Sequence, residues 1–275
     1  MIVEKTFFLL PYKTRSRLYK IYKNKTFNRL QEKRSIVTND YSYKSFDHYK
    51  CIFIHIPKTA GISLSKTLFG NLGPGHISIK KYQIIYSKEE FLNYFKFTFV
   101  RNPWERVFSA YSFLKNGGMN EIDEKWAAIN LKAFDNFEEF IKIGLFKRNI
   151  RRHLHFKPQY KFLLTPYNKK ILVDFIGFFE NIENDFKYIK NKLSMDADVY
   201  LKHENKSGNR KHNYKDYYTN EMKDIVAHIY KKDIEIFGYN FDNSSLKQQL
   251  DKRWSLIDDN RNSNLNKEKD YKFHD

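Results

Sequence analysis

The chain has 275 residues, 41% of them hydrophobic, which suits one large domain or one domain with appendages around a real core. Fifty Lys and Arg against 32 Asp and Glu give a formal charge of +18, which points to an anionic partner: a nucleotide, a nucleic acid, an acidic glycan or a membrane surface. The single cysteine, Cys51, excludes an intrachain disulfide and a cysteine-type structural zinc site, and no stretch approaches the ~18 apolar residues of a membrane-spanning helix.

Residues 1–48 are basic, Tyr-rich and weakly periodic, and read as an N-terminal extension with one helix around residues 16–22. The apolar stretch Phe7-Phe8-Leu9-Leu10 is too short for a signal peptide core, so a cytoplasmic protein is expected, with peripheral attachment to anionic lipid open to the segment from Lys13 to Lys25. A domain over residues 49–243 follows. Residues 51–56 form an almost continuous apolar run ended by Pro57, as a strand buried on both faces would, and Leu64 and Leu68 mark a helix after the next loop. Residues 95–100 are a second such strand. Beyond it Asn102, Pro103 and Glu105 announce a helix whose Trp104, Val107, Phe108 and Tyr111 share a buried face. Residues 171–179 supply a third strand, and helices are predicted over 137–143, 182–193 and 219–237, the last stopped by Gly238. Strands alternating with helices predict a single α/β domain with a parallel sheet flanked by helices. The tail, 244–275, is polar and predicted to pack poorly.

Two segments carry chemistry. In Cys51-Ile52-Phe53-Ile54-His55-Ile56-Pro57-Lys58-Thr59-Ala60-Gly61-Ile62-Ser63 the order strand, tight loop, helix makes an anion cradle from the N–H groups of Lys58, Thr59, Ala60, Gly61, Ile62 and Ser63. Lys58 adds positive charge, Gly61 allows close approach of backbone to ligand, and the Thr59 and Ser63 hydroxyls are donors. The GxxxxGK[ST] pattern of a nucleotide triphosphatase is absent, which weakens a P-loop nucleotide kinase. In Phe99-Val100-Arg101-Asn102-Pro103-Trp104-Glu105-Arg106-Val107-Phe108-Ser109-Ala110-Tyr111, Arg101 offers a rigid donor fork to a phosphate and Ser109 stands two helical turns in. Arg106 lies off the apolar face and reads as a solvated charge or a substrate contact.

Together these segments resemble the 5′-phosphosulfate loop and the 3′-phosphate motif of sulfotransferases that use 3′-phosphoadenosine 5′-phosphosulfate (PAPS), in particular the carbohydrate-modifying, family 2-like branch. The resemblance covers roughly residues 51–241. It implies a P-loop-like fold, PAPS as co-substrate without a metal, and a sugar or glycoconjugate hydroxyl as acceptor, as in building a capsule or cell envelope. It also implies Lys58 on the sulfate and its bridging oxygen, with Arg101 and Ser109 on the 3′-phosphate. An acceptor hydroxyl needs a base. His76, in Gly73-Pro74-Gly75-His76-Ile77, stands where related enzymes place their histidine. His155 is the alternative, in Arg151-Arg152-His153-Leu154-His155-Phe156-Lys157-Pro158-Gln159, which is similar to the branch's His-x-x-Pro-Gln stretch; acceptor contact or site architecture is its other reading. Asp174 to Asn181 resemble the element that passes the adenine, with Phe179 either stacking there or in the core and Glu180 undecided. His203 to Arg210 resemble the closing segment, with Ser207 and Arg210 over the 3′-phosphate. A nucleic-acid-binding protein, stacking bases on exposed Tyr and Phe, is the reading of a different class, although no nucleic-acid partner is expected from the resemblance.

Overall fold

The computed structural model describes residues 6–36, 40–164, 171–201 and 213–257. Its centre is a three-stranded parallel sheet in the order β1 (Cys51–Ile54), β2 (Phe95–Val100), β3 (Phe175–Phe178). The apolar runs become strands because both faces are covered: every residue of β1 and β3 is buried, and all of β2 but Phe95. Phe97 pairs in register with both Phe53 and Phe175, and the Phe53 and Phe97 rings stack 4.9 Å apart. The α/β fold with a parallel sheet is thus borne out.

Helices wrap this sheet. Ahead of it come α1 (Tyr12–Tyr22), α2 (Asn24–Ser35) and α3 (Lys44–Tyr49); between β1 and β2 lie α4 (Gly61–Phe69), α5 (Ile79–Ile85) and α6 (Lys88–Asn93). Between β2 and β3 lie α7 (Pro103–Lys115), α8 (Glu121–Asn130), α9 (Phe137–Lys142), α10 (Arg148–Arg152) and α11 (Tyr160–Leu163). After β3 come α12 (Ile182–Lys192), α13 (Asn220–Ile229) and α14 (Lys231–Phe237).

Four segments depart from the sequence reading, each because tertiary contacts override local pattern. The N-terminal region holds two long helices rather than one, and they are tied to the domain: Arg34 makes ion pairs of 2.7 and 2.6 Å with Asp47 and Glu90. The third strand is shorter than 171–179, because Ile171 instead bridges antiparallel to Leu164. The predicted helix over 219–237 breaks at Tyr230, where the backbone leaves helical geometry while the phenol donates to the Phe156 carbonyl at 2.6 Å. Residues 246–257 of the supposed polar tail form a helix that packs on the domain, with Ile257 buried and Arg253 paired to Asp185 at 2.8 Å.

The register aligns Ile54 with Thr98 and Thr98 with Ile176, and the Thr98 hydroxyl donates to the Ile54 carbonyl at 2.8 Å. The loops after all three strands therefore leave from one edge of the sheet, the carboxyl edge at which open α/β sheets gather their ligands.

Candidate functional site

The loop after β1 turns through Lys58 (φ 69°) and Ala60 (φ 62°), two non-glycine residues in the left-handed region. Such a curl gathers backbone N–H groups, and Ala60 precedes α4 without a side-chain cap, so the first turn of that helix is open to an anion. Gly61 is required by packing: a Cβ there would stand 1.8 Å from the His55 ring. Thr59 is fully buried and its hydroxyl donates to the Ile56 carbonyl at 2.9 Å, so it braces the loop from within and its own N–H is what remains for a ligand. Ile62 and Ser63 continue the first turn of α4, Ser63 being buried.

Arg101 leaves the end of β2 and joins the two predicted anion segments, its Nη1 donating to the Lys58 carbonyl at 3.1 Å. Nη2 pairs with Glu105 at 2.6 Å, the guanidinium lies 3.9 Å from the centre of the Phe179 ring, and the buried Nε has no partner. The Arg101 backbone is clamped by Gln159, which accepts from its N–H at 2.9 Å and donates to its carbonyl at 2.8 Å. Gln159 is held in turn by Asp233, whose carboxylate accepts from the Gln159 and Tyr160 N–H groups, both at 2.8 Å; burial pushes Asp233 up to about 6. Asn102 caps α7 by accepting from Trp104 and Glu105 N–H, and its own N–H donates to Glu180 at 2.6 Å. Ser109 is half-buried two turns into α7, and no hydrogen bond joins it to Arg101 among the described residues.

Phe113, on α7, gathers the predicted catalytic groups. Lys58 Nζ lies 3.9 Å from its ring centre and the His155 ring 5.2 Å away. Burial, then Arg101, lowers Lys58 to about 8. His76 stands 5.8 Å from His155 and 4.2 Å from His55, while His153 is 5.3 Å from His155 and stacks on Trp126 at 3.7 Å. The Nδ1 of His76 is 3.3 Å from the His55 carbonyl. An N–H there leaves Nε2 as the ring's acceptor. Burial, then His155, holds His76 down at about 4. His155 presents Nε2 to Asp123 at 3.8 Å, and burial lowers it despite that carboxylate.

The structure thus brings Lys58, Arg101, His76 and His155 together beyond the carboxyl edge of the sheet, with Gly61 against His55. Ser207 and Arg210 lie outside the described residues. Arg106 is neither solvated nor open to substrate: it is fully buried and donates to the His155 and Lys157 carbonyls at 3.0 and 2.8 Å, because the chain after α10 folds back over α7. Phe179 belongs to the Arg101 stack and is half-buried. Sequence reasoning missed Asp123, Phe113 and His55. Asp123 is disguised as a helix-start residue, three past the cap Asn120 and accepting from Met119 N–H. Among the described residues no group of three or more His, Cys, Asp or Glu could hold a metal ion.

An uncharacterised protein of Archaeoglobus fulgidus is 35% identical over 112 residues, covering 41% of this chain and 78% of the relative. No solved structure matches. The sequence profile of the sulfotransferase family matches residues 41–240, a span that takes in the whole sheet, both predicted anion segments and the four clustered histidines. With most of the chain matched and both loops leaving the carboxyl edge together, the chain belongs to the sulfotransferase family.

Proposed function

We propose that this sulfotransferase takes its sulfuryl group from PAPS and passes it to a hydroxyl of a carbohydrate or glycoconjugate. The observation that carries the reading is the 3.1 Å hydrogen bond from Arg101 to the Lys58 carbonyl, because it fixes two anion-binding segments side by side, as a nucleotide with phosphate at both its 5′ and 3′ positions requires. The residues present fit such a donor: an open helix start, a lysine in a partly dry setting, and a buried guanidinium nitrogen without a partner. PAPS supplies an activated sulfur–oxygen bond.

Lys58 to Ser63 cradle the 5′-phosphosulfate, and Lys58 neutralises charge that builds on the leaving phosphate oxygen. Arg101 meets the 3′-phosphate through Nε, with Ser109 completing the site and Phe179 offering its ring beside it. His76 takes the acceptor proton on Nε2, oriented by the His55 carbonyl, as the acceptor oxygen bonds to sulfur and the sulfur–phosphate oxygen bond breaks. His155 contacts the acceptor. The acceptor class rests on the carbohydrate-modifying branch that the motifs resemble.

Calorimetric titration with 3′-phosphoadenosine 5′-phosphate against adenosine 5′-phosphate tests this. Wild type is expected to favour the bisphosphate, and Arg101→Ala to weaken it by about 10- to 100-fold, the value of a charge-assisted contact, without changing the monophosphate. Equal affinities for the two nucleotides in wild type overturn the reading.

A further inference from the structure

We infer that the face formed by α1 and α6 docks on an anionic lipid bilayer. Residues 11–31 carry Lys13, Arg15, Arg17, Lys20, Lys23, Lys25 and Arg29 with no Asp or Glu among them. Arg15 turns inward, donating to Gln83 at 3.1 Å and lying over the Tyr12 ring, whereas the other six are exposed. Charge of one sign at this density attracts an anionic surface; a run of four to eight Lys or Arg on a helix suits a leaflet bearing acidic headgroups.

Charge alone would serve any polyanion. What selects lipid is the apolar surface beside the cations: Leu92, in the groove with Lys13, Arg17 and Lys20, is 52% exposed, and Ile21, four residues on from Arg17 along α1, is 61% exposed. An exposed aliphatic side chain gains nothing from a sugar–phosphate chain in water, but it is removed from water at the headgroup and acyl boundary. Between α1 and α6 runs a groove of about 770 Å³ with Tyr12 and Leu92 in its wall and Lys13, Arg17, Lys20 and Lys88 beside them; Glu89 is its one carboxylate. Cations around an apolar floor match a phospholipid, whose anionic group lies above its hydrocarbon. Hydrogen bonds also tie the face to the helix that leads from His76. Tyr12 donates to the Tyr86 carbonyl at 2.8 Å and Gln31 to the Ile85 carbonyl at 2.7 Å, while α5, which leads to both, begins three residues after His76. The inference stands independently of the proposed donor and acceptor.

Co-sedimentation with vesicles of phosphatidylcholine, and of phosphatidylcholine with one part in three phosphatidylserine, tests it on the full chain. Expected is binding that requires phosphatidylserine, falls about 100-fold or more in Lys13→Glu/Arg17→Glu/Lys20→Glu, and falls several-fold in Ile21→Ser/Leu92→Ser. Unchanged melting curves confirm that the exposed substitutions leave the fold intact. Equal binding to both vesicles, or full binding by the triple variant, overturns the inference. So does binding that Ile21→Ser/Leu92→Ser leaves untouched while single-stranded DNA or heparin displaces it completely, since that is attraction to any polyanion.

Discussion

Lys58 sits where burial and then the Arg101 guanidinium disfavour its charge, while the Phe113 ring beneath it and the Asp123 carboxylate favour it, and the first two prevail. On the proposed donor, an incoming anion offsets that penalty, so binding of the phosphosulfate and protonation of Lys58 reinforce one another. The histidines divide by their hydrogen bonds. His76 has its Nδ1 on a fixed backbone carbonyl, which makes Nε2 a directed acceptor, whereas His155 turns Nε2 to Asp123 and buries an Nδ1 without a partner. On the proposed reaction His76→Asn is expected to lower kcat by about 100-fold or more with bisphosphate affinity preserved. His155→Asn should act mainly on the acceptor KM. Sulfated-product formation with any acceptor found by screening, measured across pH for both variants, decides this: a larger kcat loss at His155 transfers the base to that residue.

At the scale of elements, what was legible is what is local. The buried runs at 51 and 95, the cap at Asn102 and the Lys58 to Gly61 loop are written in neighbouring residues, and both strand–loop–helix segments could be placed from them. The break at Tyr230 and the inward Arg106 were not legible, because their partners are 74 and 49 residues away in sequence. His55 was hidden for the same reason: its fully buried ring touches His76 across the sheet edge and stacks 5.6 Å from Phe53. That stacking makes α4 and its loop one unit with the histidine cluster, and Gly61 is the joint. Gly61→Ala is expected to cost about 1–3 kcal/mol by overpacking, since His55 has no open side to move into, and to loosen nucleotide binding as the loop shifts. Urea denaturation and the same nucleotide titration check both parts; a variant as stable and as tight as wild type would mean that the loop yields without the histidine.

Over the whole molecule, acid acts in two opposing ways. Burial lowers the pKa of His55, His76, His153 and His155, with His76 and His153 brought to about 4 from an ordinary 6.5. The unfolded chain therefore takes up protons first, and these groups subtract stability as pH falls from 6.5 towards 4. Glu180 and Asp233 do the reverse. Burial raises them to about 7 and about 6, above ordinary values of 4.5 and 3.8, so the folded state binds protons first and gains stability over the same descent. Four histidines against these two carboxyls predict a net loss of melting temperature between pH 7 and pH 5. Glu180→Gln removes one compensating group, and because the amide does not titrate, the fall should steepen by up to about 2 kcal/mol, a few degrees for a chain of this size. Replacing His76 and His153 by Asn should flatten it. Thermal melts of the three proteins at pH 7, 6 and 5 measure the slopes, and parallel curves would mean that the buried histidines and Glu180 keep their ordinary protonation in the fold. The opposition reaches the proposed donor site, since Glu180 accepts from Asn102 N–H and Tyr239 hydroxyl beside Arg101, so protonating it weakens the support of the Arg101 segment while the histidine cluster is still neutral.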